Sequence, residues 1–240
     1  MVVDTLQDKA IVQQLLAGCD AVVHLAAIAS PMSHPPETVY ANNTLSSYHV
    51  LLAAAELGIR KVCLASSINA IGGAFSRMAR YDYLPVDERH PTYAEDAYSL
   101  SKWVLEAQAD AVARLHPEMT IASMRFHGLN KRSFFPPDAH PNKLPPEWAQ
   151  RVINHLWAYT DIDSAAKACM LALQADFKGH EAFLVVGPTT IFPATVSSRE
   201  LAQQHFPAAE LSVSLPTLGN VGLYDCSKAQ RLLGWVHEDL

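Results

Sequence analysis

Three short apolar runs with almost no polar face constrain the fold of this chain more than anything else in it. They are "AVVHLAAIA" (residues 21–29), "KVCLASS" (61–67) and "TIASMRFHGL" (120–129). A strand that is apolar on both faces belongs inside a parallel sheet covered on each side by helices. The intervening sequence supplies those helices. Residues 37–57 read as a helix stopped by Gly58, and residues 96–116 as a second, opened by Asp96 as its N-cap. The alternation continues with a helix at 162–176, a strand at 181–187, and a short helix at 198–206. A last helix at 225–235 is capped by Asp225 and stopped by Gly234. Strands alternating with helices predict an α/β fold with a doubly wound parallel sheet.

The pattern breaks at residues 134–148, "FFPPDAHPNKLPPEW", where five prolines predict a loop rather than helix or central strand. A soft boundary therefore falls near residue 130. Residues 1–130 form one portion, and residues 131–240 a smaller mixed α/β portion interleaved with it. Lys and Arg number 18 against 24 Asp and Glu, a net charge of −6, and the cations are scattered. That pattern excludes a nucleic-acid surface, which needs a concentrated basic patch. No run of about 18 apolar residues predicts a membrane span, and "MVVDTLQDKA" has no leader-like pattern. The four cysteines are far apart with no CxxC, and the 11 histidines carry no metal-ligand spacing. Isolated thiols and histidines without a metal, in a cytoplasmic protein, are the expectation.

One constellation can carry chemistry. Ser66 and Ser67 end a buried strand, where the hydroxyls of a parallel sheet leave the core and ligands bind. Tyr98 and Lys102 stand at i and i+4, with Glu106 four further on, on one helix face. A free tyrosine titrates near ~10 and is a poor base at neutral pH, and a neighbouring ammonium lowers that value. Ser67 would hold a substrate hydroxyl or carbonyl against the phenol. Proton transfer by Tyr98 coupled to hydride transfer with a nicotinamide is the chemistry such a trio can do. A Tyr-x-x-x-Lys pair alone arises by chance in many helices. The order strand, serines, Gly72-Gly73, then the Tyr/Lys helix is what raises it above chance.

That order resembles the extended short-chain dehydrogenase/reductase family, the NAD-dependent epimerases and dehydratases that act on sugars. "CDAVVHLAAIAS", "NNTLSSYHVLLAAAELGIRKVCLASSINAIGG", "YSLSK" and "ASMRFHGLN" look like its fourth strand through its sixth. "YTDIDSAAKACMLAL" and "DCSKAQRLLGW" resemble motifs of its substrate-binding half. The serine loop, with Ile71-Gly72, is similar to that of uronate dehydrogenases. The resemblance implies a Rossmann-like sheet, a sugar-like small-molecule substrate and NAD or NADP as cofactor. It implies Ser67, Tyr98 and Lys102 as catalytic residues, and Ser67 and Asn69 as substrate contacts. Cofactor contacts would come from Asp4, Thr5, Leu25, Ala26, Ala27, Asn42 (or Asn43), Tyr98, Lys102 and His127. A homodimer through helices 37–57 and 96–116 is also implied.

The sequence departs from that family in one respect. It holds no G-x-x-G-x-x-G or G-x-G-x-x-G, the turn that lets backbone N–H groups approach a pyrophosphate. "MVVDTLQD" looks like the end of the family's third strand. The expectation is a doubly wound sheet lacking its first βαβ unit, an N-terminally truncated member whose cofactor binding is weakened or lost. It also predicts a bare edge at "AVVHLAA". Two functions stand side by side: an NAD(P)-dependent oxidoreductase or epimerase, and a non-catalytic binding or regulatory protein that kept the fold.

Overall fold

The computed structural model describes residues 6–239. Helix α1 (Lys9–Leu16) is opened by Asp8, whose carboxylate accepts the Ala10 N–H at 2.8 Å. Strand β1 (Ala21–His24) leads through a loop into α2 (Pro36–Glu56), which starts on a proline whose missing N–H is no loss there. Strand β2 (Lys61–Ala65) follows, then a 3-10 turn at Ile68–Ile71 and the two-residue β3 (Tyr83–Leu84). Helix α3 (Ala97–Leu115) begins where the sequence predicts. Asp96 accepts the Ser99 N–H at 2.9 Å, and the Ser99 hydroxyl donates back to it at 2.5 Å. Next come β4 (Thr120–Phe126), β5 (Leu129–Asn130), α4 (Pro146–Asn154) and β6 (Thr160–Asp161). The chain continues with α5 (Ile162–Gln174), β7 (Gly179–Val185), α6 (Ser198–His205), β8 (Glu210–Leu211) and α7 (Ser227–Leu233).

Strands β1, β2, β4 and β7 form one parallel sheet in that spatial order. The apolar runs are apolar because both faces of this sheet are covered. Val62 and Leu64 of β2 pack with Leu51 and Ala54 of α2 and with Leu105 and Ala109 of α3. Cys63 points the other way, toward Ala168 and Ala172 of α5, Ala229 of α7 and Trp235. A third cluster, built around Trp157, Tyr159 and Phe192, forms the core of the later part of the chain. Among the described residues β1 is an edge, and Val23 on it is 40% exposed. No helix among the described residues is long and apolar enough to cross a membrane.

The structure differs from the sequence expectations at three places. The strands end at His24, Ala65 and Phe126, so the tails of the apolar runs are loop and line the mouth of the sheet. The Pro-rich segment is not loop throughout, because α4 opens at Pro146, where proline occupies the first helical turn and obstructs nothing. Helix α7 starts one residue later than predicted. Asp225 accepts the Ser227 N–H at 2.9 Å, but the cap position falls on Cys226, whose thiol is turned to the Val186 carbonyl at 3.6 Å. Gly234 does end that helix, in the left-handed conformation at φ 68°.

Candidate active site

A cavity of about 360 Å³ opens at the carboxyl ends of β1, β2 and β4, where a doubly wound sheet places its ligands. Ser67, Asn69, Tyr98, Lys102, His127, Leu25 and Ala27 line it, so the structure brings these sequence-predicted residues together. Ala26 is exposed and does not line it. Asp4 and Thr5 lie outside the described residues.

Ser67 leaves β2 in an extended conformation and caps the following 3-10 turn. Its oxygen accepts from the Asn69 backbone N–H at 3.1 Å and from the Asn69 side-chain amide at 3.2 Å. A hydroxyl has two lone pairs and one proton. Both lone pairs are therefore engaged, and the one Ser67 proton points to the side of the neighbouring Tyr98 phenol and the cavity. The Asn69 carbonyl oxygen is also occupied, accepting the Ala74 N–H at 3.0 Å. Asn69 thus shapes the serine loop with both ends of its amide.

Tyr98 is buried, edge-on to Phe75 with ring centroids 5.7 Å apart. Burial pushes its phenol above the ordinary value of 10.0, the neighbouring Ser67 hydroxyl pulls it down, and Asp96 pushes it up. This corrects the expectation of a lowered phenol. The Lys102 Nζ lies 5.7 Å from the Tyr98 ring centre and spends a donor on the Ala65 carbonyl at 2.5 Å. Lys102 itself is lowered from 10.5 to about 8, because burial disfavours the ammonium more than Glu106 favours it.

Of the adjacent asparagines, Asn43 is the buried one and holds the β1–α2 loop. Its amide accepts the Ile28 N–H at 2.8 Å and donates to the Ile28 carbonyl at 3.0 Å and to the Ser101 hydroxyl at 3.1 Å. Asn42 is half-buried, faces Gln7 at 3.3 Å and does not line the cavity. His127 lines the cavity, but both its nitrogens are engaged. The Gly128 N–H donates to Nδ1 at 2.7 Å, which puts the proton on Nε2, 3.2 Å from the His155 carbonyl. Burial lowers His127 to about 4, so it is neutral.

Sequence reasoning missed Arg151. It sits on α4, in the turn after the prolines, with its guanidinium 4.9 Å over the Phe75 ring. It lines the same cavity as Lys102 and depresses both His127 and His155. No carboxylate among the described residues lies within ion-pair distance of it. A lone Arg beyond a Pro-rich stretch carries no spacing signal that could have found it. The cavity lining therefore holds two cations and no acid.

A second constellation has the look of a nucleophile–base–acid relay. His180 Nδ1 lies 2.7 Å from Asp110 Oδ1, and His180 Nε2 lies 2.8 Å from Ser123 Oγ. Ser123 is 0% exposed in the middle of β4, beneath α3, so no substrate reaches it. The relay is a structural hydrogen-bond network joining α3, β4 and β7.

Comparison with known proteins bears on the whole arrangement. The sequence model of the NAD dependent epimerase/dehydratase family matches residues 2–187. The chain belongs to that family. Among its relatives, a uronate dehydrogenase of Pseudomonas putida is 32% identical over 97 residues, 40% of this chain and 33% of the relative. A dTDP-6-deoxy-L-talose 4-dehydrogenase (NAD(+)) of Aggregatibacter actinomycetemcomitans is 26% identical over 113 residues, 47% of this chain and 38% of the relative. The matches thus span about a third of the length of these relatives. In structure, the uronate dehydrogenase from Agrobacterium tumefaciens superposes with a TM-score of 0.66 at 19% identity, covering 99% of this chain and 68% of that one. UDP-glucose 4-epimerase from Bifidobacterium longum, with NAD+ and UDP, gives 0.63 at 18% identity, covering 99% and 78%. At such identities the likeness is one of fold: the family member described here has their Rossmann-like α/β architecture.

Proposed function

We propose that this cavity is the active site of an NAD(P)-dependent oxidoreductase or epimerase acting at a secondary alcohol or carbonyl of a sugar-like substrate. One observation carries the reading. A serine hydroxyl, a phenol beside it and an ammonium one helical turn away meet at a single cavity at the strand ends. Leu25 and Ala27, from the end of β1, offer an apolar wall to a nicotinamide ring, and Lys102 a cation to its ribose. When bound, the dinucleotide supplies the hydride acceptor or donor.

The chain's own residues do the rest. Ser67 donates to the substrate oxygen and holds it against the phenol. Tyr98 takes the proton from that oxygen as the substrate is oxidised and returns it in the reverse direction. With the Ser67 proton on the substrate oxygen, the Lys102 charge, 5.7 Å from the ring centre, is what favours the phenolate against its burial. Residues 1–130 supply the cofactor side and residues 131–240 the opposite wall, with Arg151. An unpaired cation in a cavity without acids suits a carboxylate on the substrate. The similarity to uronate dehydrogenases supports a sugar acid as that substrate.

The test is calorimetric titration with NAD+ and NADP+, followed by nicotinamide absorbance with a hexuronic acid, the matching neutral hexose and a nucleotide sugar. Turnover of the acid, its preference lost in Arg151→Ala, and no turnover in a folded Tyr98→Phe variant are expected. A fully active Tyr98→Phe variant would overturn the assignment. The raised phenol favours a second reading, a binding or regulatory protein that keeps the fold. Ligand binding without turnover would identify that case. We also infer a homodimer through α2 and α3, whose Tyr40, Tyr48 and Leu100 are exposed; a monomeric mass by light scattering refutes it.

A further inference from the structure

We infer that Glu106 is a positioning residue for this site: its buried carboxylate locks the end of β2 against α3 and is the counter-charge to the Lys102 ammonium. The inference rests on the reading of the cavity as an active site, and deepens it.

The Glu106 side chain is 7% exposed and that of its partner Arg125 is 3% exposed. Arg125, from β4, grips the carboxylate with two prongs, Nε to Oε1 at 2.9 Å and Nη2 to Oε2 at 2.7 Å. The Ser66 hydroxyl donates to Oε1 at 2.5 Å, and the third Arg125 donor reaches the Glu88 carbonyl at 3.2 Å. A buried ion pair is a poor way to stabilise a fold, since well-packed apolar residues do as well or better. This one sits where it organises catalytic groups.

Consecutive residues at the end of β2 are each tied to α3. Lys102 Nζ donates to the Ala65 carbonyl, and Glu106, one turn on, receives the Ser66 hydroxyl. The next residue is Ser67, and one turn back along the same helix face is Tyr98. The two ties set the separation between the Ser67 hydroxyl and the Tyr98 phenol.

The charges around Lys102 give the second half of the role. From α3 it faces Tyr98 and Glu106; from β1 it faces His24, which burial and Lys102 itself hold near 4 and therefore neutral. From β2 come only the serines and the Ala65 carbonyl. From β4, Arg125 stands behind the carboxylate, and His127 lines the cavity in its neutral form. Glu106 is the group among these that favours the protonated lysine. It is what keeps an ammonium within reach of the phenol at neutral pH.

The experiment is an NMR titration of the full chain carrying 13C-labelled lysine, with the Lys102 signal identified by its loss in Lys102→Met. In Glu106→Gln the Lys102 midpoint falls by about one pH unit, a tenfold loss of proton affinity. The alkaline limb of kcat moves down with it while KM stays, and Glu106→Asp, which keeps the charge, restores the midpoint. A folded Glu106→Gln protein whose Lys102 midpoint superimposes on wild type overturns the inference. If that variant does not fold, Arg125→Gln leaves the Glu106 charge without its guanidinium, so the Lys102 midpoint rises, and an unmoved or lowered midpoint there overturns it equally. The titration needs neither cofactor nor substrate. A wild-type chain that binds no nicotinamide nucleotide refutes the functional reading alone, and an active chain with an unmoved midpoint refutes the role of Glu106 alone.

Discussion

Replacing Asn43 by alanine tests how the fold holds the β1 side of the cavity. The Asn43 amide pairs with the Ile28 backbone as a neighbouring strand would, taking its N–H at 2.8 Å and giving to its carbonyl at 3.0 Å. Its second amide proton goes to Ser101, whose hydroxyl in turn donates to the Tyr98 carbonyl at 2.7 Å. One side chain of α2 thus connects the β1–α2 loop to the Tyr98 turn of α3. The Asn43 oxygen also accepts from the Asn42 amide at 3.1 Å; each such bond contributes about 0.5–1.5 kcal/mol net, and the four are lost together. Ile28 is half-buried, so its freed groups find water and escape the full desolvation cost. The expected loss is about 2–3 kcal/mol, a large share of a total stability of roughly 5–15 kcal/mol. Urea unfolding reads it as a lower midpoint at constant slope. Hydrogen exchange localises it: the Ile28 amide loses protection while that of Leu64 in β2 keeps its own. A loss below about 0.5 kcal/mol, or an unchanged Ile28 amide, would refute the argument that this asparagine clamps the loop.

Three further outcomes are expected. Gly72→Ala puts a Cβ 2.8 Å from the Tyr93 carbonyl carbon and oxygen at φ +82°, whereas Gly58→Ala, at φ +73°, meets nothing within 4 Å. The first should cost roughly 3 kcal/mol or more in urea unfolding and the second about 1, and equal losses would discard the clash argument. Lys102 is lowered to about 8 from 10.5, so between those values the unfolded chain binds the extra proton and this group's contribution to stability rises with pH. The stability advantage of Lys102→Met over wild type therefore shrinks across that window, and a constant gap contradicts it. Asp110 is lowered by its hydrogen bond to His180, so it stabilises above the ordinary carboxylate range and that contribution is lost as pH falls through its folded value. Because Asp110 is half-exposed, Asp110→Asn costs at most about 1 kcal/mol at neutral pH and nothing in strong acid. A penalty that persists in acid shows another cause.

The sheet was legible because Val62, Leu64, Ile121 and Met124 have cores on both sides of them, and no other setting tolerates such runs. Ser67, Tyr98 and Lys102 were legible because their spacing is set within one strand end and one helix face. What the sequence could not carry depends on rotation and on distant neighbours. Asn42 and Asn43 differ only by one step around α2, and only packing against Ile28 and Ser101 separates them. The direction of the Tyr98 shift hangs on Phe75 and the closure of the serine loop, and Arg151 reaches the cavity through the course of a proline-rich segment.

Those same distant neighbours decide how the site's charge responds to pH. His24 and His127 are held near 4, and His155 well below 6.5, each chiefly by burial. None of them gains charge between about pH 5 and neutrality. Lys102 loses its charge only on the alkaline side, near 8. On the function proposed above, an acid group on the substrate would meet the Lys102 ammonium unchanged across the mildly acidic and neutral range. On that proposal, the pH sensitivity of binding and of proton transfer would enter from the alkaline side, through Lys102 and the Glu106 carboxylate that favours its charge.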